Sequence, residues 1–409
     1  MSAPAKIIQL VNQFKENYNQ YKLSSFNEEN LKIEFLNPFF EELGWDIQNK
    51  KGFSQQYKDV VFEDSIKVGH STLAPDYSFR YGGVRKFFVE AKKPSENIDF
   101  NAKYSYQLRR YAWSAKLPIS ILTDFEEFAV YNTRIKPNEN DKPSIARIFY
   151  YRYTEYIDKW DEIYSIFSKE AIPKGAFDRF ADDDKLKRGT SEVDEEFLKE
   201  IEGWRSVLAL NLALRNKDLT KRQLNDSVQK TIDRLIFLRI CEDRGIENYG
   251  LLQSKQNVKD VYSHLKQLFL IADDKYNSGL FNFSYEKNRT EPDELTLNLN
   301  VDDKVLKDII KRLYPPTSPY AFSVIPIEIL GQVYERFLGN IIDLKPNHKA
   351  IVELKPEVRK AGGVYYTPQY IVNYIVENSV CILLANKTAE DAKKLKILDP
   401  ACGSGSFLI

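Results

Sequence analysis

Four short apolar runs crowd the stretch between residues 74 and 131: Ala74–Tyr81, Lys86–Lys92, Ile119–Thr123 and Glu127–Tyr131. Each has the length and composition of a strand. Gly82-Gly83 separates the first two and supplies the backbone freedom of a tight hairpin turn. Asn101–Lys116, between the second and third, reads as a helix, which makes this region α/β or α+β. Upstream, Ile7, Ile8, Leu10, Val11, Phe14, Tyr18 and Tyr21 fall at helical spacing. A second helix is expected from near Asn27, with Leu31, Phe35 and Phe39 on one face and Pro38 kinking or ending it. An N-terminal domain over 1–165 follows from this pattern.

The chain has 409 residues, enough for two or three domains at about 150 residues each. Pro173–Glu196 is polar and reads either as a linker or as a solvated stretch between helices. From Phe197 to Asp273 the period becomes helical: Val207, Leu210 and Leu214, then Val228, Ile232, Leu235 and Leu238, recur at steps of three and four. Pro315-Pro316-Thr317-Ser318-Pro319 breaks the pattern before a helix expected over Ile327–Ile342. We assign 166–345 to an all-α spacer and 346–409 to a third domain, with a helix over Gln369–Leu384 and a strand over Leu395–Leu398.

Lys and Arg number 59, as do Asp and Glu, so the chain is not a polycation. Binding to nucleic acid would need local basic patches. One exists between Arg85 and Lys116, where Arg85, Lys86, Lys92, Lys93, Lys103, Arg109, Arg110 and Lys116 face Glu90, Glu96 and Asp99. The cysteines, Cys241, Cys381 and Cys402, lie far apart and give neither a disulfide framework nor a zinc spacing. No apolar run reaches the roughly 18 residues of a spanning helix, and the N-terminus lacks a secretory signal. A soluble cytoplasmic protein with no membrane partner is expected.

Pro75-Asp76 is followed one strand later by Glu90-Ala91-Lys92. Residues two apart on a strand share a face, so Glu90 and Lys92 point the same way and a hairpin partner can bring Asp76 alongside. Carboxylates hold a hard divalent cation through oxygen. Such a cation polarises a phosphate and acidifies a water, and an amine beside it orients the water or stabilises developing charge. Taken alone, the spacing also fits a charged sheet edge. The pattern resembles the PD-(D/E)xK nuclease superfamily. Gln107 and Tyr111 match the Q-x-x-x-Y signature that follows E-x-K in its RecB-like and type I restriction branches, and Ile33-Glu34-Phe35 resembles the early helix of the type I restriction subunit. The resemblance, over about 25–135, implies Asp76, Glu90, Lys92, Gln107 and Tyr111 as catalytic residues. It implies Mg2+ held by Asp76 and Glu90, with Glu34 in support, and double-stranded DNA as substrate.

Near the C-terminus, Leu395–Leu398 runs straight into Asp399-Pro-Ala-Cys-Gly-Ser-Gly-Ser406. A Gly-x-Gly turn at the carboxyl end of a buried strand lets a ligand approach the backbone closely. The string resembles the S-adenosylmethionine loop of γ-class DNA N6-adenine methyltransferases, in which an upstream element is also expected. Gly363-Val-Tyr-Tyr366-Thr367-Pro368 matches it, and Thr367-Pro368 also suits a helix start. The resemblance implies S-adenosylmethionine contacts by Tyr366, Thr367, Pro368, Asp399, Ala401, Gly403 and Gly405. It implies a Rossmann-like fold of which only the beginning is present. No Asn-Pro-Pro occurs, and the sequence stops at Ile409. A truncated methyltransferase start that binds the cofactor weakly or not at all is therefore expected, with a sequence-specificity domain or subunit beyond it.

Nuclease, helical spacer and methyltransferase, in that order, resembles the layout of type IIG and type I-like single-chain restriction-modification enzymes. The string Asp233–Arg239 and the strings around Glu242–Gly245 and Leu330–Gly339 resemble their spacer, where Arg234, Arg239 and Arg244 are expected in structural ion pairs. The alternative is a DNA-binding scaffold with a decayed nuclease site, serving a modification-only protein.

Overall fold

The computed structural model describes residues 2–62, 67–68, 71–72, 74–183, 186, 189–190, 192–276, 278–285, 291–326, 329–331, 339–345, 347–355, 367, 369–385, 387–400 and 407. They form two compact units. The first comprises Met1–Val193, Arg239–Leu251 and Arg312–Ile325, the second Asp194–Leu238, Leu252–Lys311 and Pro326–Ile409. This division differs from three consecutive segments, because three stretches assigned to the spacer, 166–193, Arg239–Leu251 and Arg312–Ile325, fold with the N-terminal unit.

The first unit is built on a six-stranded mixed sheet. In chain order the strands are β1 (Val60–Phe62), β2 (Tyr77–Tyr81), β3 (Val84–Ala91), β4 (Ile119–Thr123), β5 (Glu127–Asn132) and β6 (Arg147–Arg152), and they lie side by side in that order. All neighbours are antiparallel except β3 and β4. Gly82 and Gly83 both take positive φ, 58° and 83°, and close the β2–β3 hairpin. Parallel neighbours need a crossover, and helix α3 (Ala102–Ser114) provides it, capped by the Asn101 side chain, which accepts from the Lys103 amide. The sequence reading locates the four central strands and α3. It misses β1 and β6.

Side chains alternate across β3, and each set meets its own layer. Phe87, Val89 and Ala91 join the core formed with helices α1 (Ala5–Glu16), α2 and α4 (Tyr156–Phe167). Here α2 is a continuous helical run of Glu28–Leu31, a π-helical turn Lys32–Leu36, and Asn37–Glu42. Phe88 faces the other way, into a core with Leu108, Tyr111 and Ala112 of α3. Pro38 falls at the second position of Asn37–Glu42, so the helical run continues through it.

The two later stretches of this unit carry a buried cation. Arg239 is fully buried, 2.6 Å from Asp243 and 4.2 Å above the ring of Tyr314. Asp243 also accepts from the Phe322 amide at 2.9 Å. Next to it, Ala321 donates its amide to Ser114 Oγ at 2.9 Å and Arg110 donates to the Tyr320 carbonyl at 2.6 Å, so the segment is tied to α3.

The second unit contains most of helix Val193–Arg215 (α5), the first part of Lys221–Asp243 (α6), then Val261–Tyr276 (α7) and Asp303–Lys311 (α8). The stripe Val207, Leu210 and Leu214 is a correction: these residues are exposed, while Trp204, Leu208 and Leu212 are buried. An apolar α5 offers two candidate stripes, and spacing alone does not choose between them. Arg234 sits in a buried ion pair with Asp293 at 2.7 Å, beneath the ring of Phe283. Strands β7 (Asn340–Leu344) and β8 (Ala350–Leu354) form a hairpin, so the last residues of the helix expected over Ile327–Ile342 are strand instead. Gln369–Leu384 is two helices, α9 (Gln369–Glu377) and α10 (Val380–Leu384), and Leu395–Leu398 is not a strand. A parallel strand relies on neighbours at both edges, and among the described residues none pairs with it. No described helix is long and apolar enough to cross a membrane.

Candidate active site

The antiparallel register sets Tyr77 of β2 across from Val89 of β3. One further step of that register places Asp76 opposite Glu90. Glu90 lies beside Leu122 in the parallel pair, at the end of the sheet over which α3 crosses. It accepts at Oε1 from two donors, Lys92 Nζ and Gln107 Nε2, each at 2.7 Å. Its Oε2 is buried and has no hydrogen-bond partner among the described residues. Asp76 accepts at Oδ2 from the Ala91 amide at 2.8 Å and at Oδ1 from Lys32 Nζ. Glu28 joins the two halves, with Oε1 3.3 Å from Lys32 Nζ and Oε2 3.8 Å from Lys92 Nζ. Three carboxylates and two ammonium groups thus form one chain of ion pairs: Asp76, Lys32, Glu28, Lys92, Glu90.

Charge and burial oppose each other here. Burial pushes the Glu90 carboxyl up to about 8; the Lys92 ammonium works against this, and the carboxylates of Asp76 and Glu28 add to it. Burial, then the Asp76 charge, raises Glu28 as well. For Lys92 burial acts against the charge, but Glu90, Glu28 and Asp76 outweigh it and hold the amine above its ordinary value. Lys32 follows the same pattern, with Asp76 and then Glu28 outweighing burial. Its side chain is only 9% exposed.

Of the residues singled out from sequence, Asp76, Glu90, Lys92 and Gln107 come together in this chain of contacts. Tyr111 is buried in the core beneath α3, where burial and then the Glu90 charge hold its phenol well above the ordinary range. Glu34 is not brought in: it is exposed and makes none of these contacts. Glu28 and Lys32 take its place. Their signal was present in the sequence. Counting about 100° per residue, Glu28 falls within the arc spanned by Leu31, Phe35 and Phe39, Lys32 at its edge, and Glu34 outside it. The side chain of Asn27 fixes the helix start by accepting from the Asn30 amide at 2.8 Å. The local basic excess also shrinks, because Arg109 is buried against Asp141 and Arg110 is buried against the Tyr320 carbonyl.

Among the described residues no group of three or more His, Cys, Asp and Glu side chains is arranged to hold an ion on its own. Magnesium does not need one, since it retains waters and uses one or two carboxylates together with substrate phosphate. The orphaned Glu90 Oε2 fits such a cation, because a buried carboxylate oxygen without a donor is costly.

Residues 326–409 match the family model of N-6 DNA Methylase. Over its whole length the chain is 37% identical to the type II restriction enzyme and methyltransferase RM.Eco57I of Escherichia coli. The chain is a relative of fused restriction–methyltransferase proteins. It spans 40% of the length of that relative. A second match, 25% identical over 91% of this chain and 38% of the other, is RM.MjaORFECS2P of Methanocaldococcus jannaschii, whose description as the same kind of enzyme is itself provisional. The solved structure of the type IIG restriction endonuclease BpuSI aligns over 92% of this chain and 36% of that one, at 15% identity and a TM-score of 0.20, too low to bear on the fold.

In the segment matching the methylase family, Thr367 is half-buried just before α9, and Asp399 is half-buried. Tyr366, Pro368, Ala401, Gly403 and Gly405 lie outside the described residues.

Proposed function

We propose that the first unit is a magnesium-dependent DNA endonuclease and that residues 326–409 open an adenine-N6 methyltransferase, as parts of a fused restriction-modification enzyme. The reading rests on one observation above all: Glu90 holds Lys92 and Gln107 on one carboxylate oxygen and leaves the other buried and unpartnered, with Asp76 across the hairpin. Asp76 and Glu90 would hold the cation, with Glu28 as the third carboxylate within reach. When bound, the cation supplies Lewis acidity to the scissile phosphate and to the attacking water. Gln107 fixes the rotation of the Glu90 carboxylate by engaging Oε1. Lys92, held beside that oxygen, stabilises charge that builds on the phosphate or orients the water. S-adenosylmethionine would be met by Tyr366, Thr367, Pro368, Asp399, Ala401, Gly403 and Gly405.

Incubation of the chain with supercoiled plasmid tests this reading. Nicking should require Mg2+, stop on chelation, and fall roughly 100-fold or more in Asp76→Ala, Glu90→Ala and Lys92→Ala. Glu28→Gln should cost more than Glu34→Gln. Cleavage that persists in a folded Glu90→Ala variant would rule the assignment out.

A further inference from the structure

We infer that Lys32 is a resident counter-ion that occupies the cation's place on Asp76 and must be displaced for a divalent cation to bind. The inference rests on the nuclease reading above and concerns the different parts played by the two lysines of the site. Lys92 binds Glu90 at Oε1, the oxygen already shared with Gln107, and leaves Oε2 open. Its bond is compatible with a cation on the same carboxylate. Lys32 binds Asp76 at Oδ1, while Oδ2 is held by the Ala91 amide. Both Asp76 oxygens therefore have donors, and the Ala91 amide belongs to the backbone of β3 and cannot leave. Lys32 is the donor that can give way.

Its position suits that task. Lys32 begins the π-helical turn Lys32–Leu36 within α2, a local irregularity frequent at functional sites. Its ammonium lies between Asp76 and Glu28, so it neutralises two carboxylates that would otherwise repel each other when no cation is present. An incoming dication would meet a like charge on its own ligand. On a flexible four-carbon stem, that ammonium can withdraw toward Glu28 without any backbone change. The site is thus kept assembled in the absence of metal, at the expense of metal affinity. Lys92 stays in place in both states.

The test is metal binding, without DNA and without turnover. Calorimetric titration of the 409-residue chain with Mn2+ should give tighter binding in Lys32→Met, by roughly tenfold, equivalent to about 1.4 kcal/mol. Lys32→Arg keeps the charge and should not gain affinity. Lys92→Met should not gain either, because Lys92 does not compete for the open oxygen. In the absence of metal, Lys32→Met should melt at a lower temperature than the wild type and recover more on adding Mn2+, a readout that holds even if the variant is only marginally folded. Equal or weaker Mn2+ affinity in Lys32→Met, or equal gains in the Met and Arg variants, would overturn the inference while leaving the nuclease reading intact. Failure of both wild type and Lys32→Met to bind Mn2+, or binding unchanged by Glu90→Gln, would bring down the nuclease reading itself.

Discussion

Asp124 closes the turn between β4 and β5 with its carboxyl group wholly buried. One oxygen accepts the Glu127 amide at 2.7 Å, and the other has no partner among the described residues. Burial, and then the neighbouring Glu127 charge, push this carboxyl well above its ordinary value of 3.8. The folded chain therefore keeps a proton that the unfolded chain releases. Linkage then fixes the sign: stability is fully present below 3.8 and declines as pH rises from there through the raised value. Asp124→Asn removes the ionisation and keeps an acceptor for the Glu127 amide. The variant should be no less stable than wild type at pH 5 and more stable at pH 8, with a flatter dependence of melting temperature on pH. A parallel pH profile for the two proteins would refute the assignment. Asp76, Glu90 and Lys92 were legible because a strand has a period of two and a hairpin sets its own register. Glu28 and Lys32 are legible only through the phase of the apolar stripe on their helix, a weaker signal than the short motif that points to Glu34.

At the scale of elements, β4 and β5 are readable because every residue of each is buried, and β2 and β3 because Gly82-Gly83 marks the hairpin between them. Strand β6 was missed because Arg147–Arg152 is an edge strand, mostly half-buried, with charges at both ends. Edge strands carry such charges to discourage further pairing, and this blurs the pattern that marks a strand. Helix α3 shows how one element depends on distant chain. Through Ser114 and Arg110 it is held by the segment that follows Tyr314, and that segment is held by Asp243 and Arg239. Arg239→Ala leaves Asp243 buried without its cation, so it should destabilise the first unit by about 3–5 kcal/mol. Chemical denaturation monitored by hydrogen exchange in α3 and β3 measures this. A loss under about 1 kcal/mol, the range of an exposed pair, would mean that the ring and backbone contacts carry the segment without the charge.

For the whole molecule, the two ends of the chain differ in how completely their apolar groups are covered. Phe87–Ala91 of β3 and the whole of β4 have both faces buried, whereas Tyr374, Ile375, Ile382, Leu383 and Leu398 are all exposed, Leu398 at 86%. Regions with few buried apolar contacts open most easily. Limited proteolysis should therefore cut first within 346–409, leaving a core that ends before about residue 345. Amides of α9 should exchange faster than those of β3. Equal protection in the two would show that the second unit stabilises its C-terminal helices as well as the sheet stabilises its centre. No local pattern could have announced that the first unit is discontinuous, since periodicity reports what a segment buries and not what it buries against.

That discontinuity has a consequence for how the molecule comes into being. The sheet and its candidate catalytic residues are encoded early, but the unit that contains them includes chain up to Ile325. Synthesis proceeds at about 5–20 residues per second, so roughly 7–26 s separate the emergence of Val193 from that of Ile325. During that interval α3 packs on the sheet but lacks the brace supplied by Tyr320 and Ala321, and Gln107 rides on a helix held from one side alone. On the ribosome, the candidate active site should therefore mature only as the segment that matches the methylase family begins to emerge.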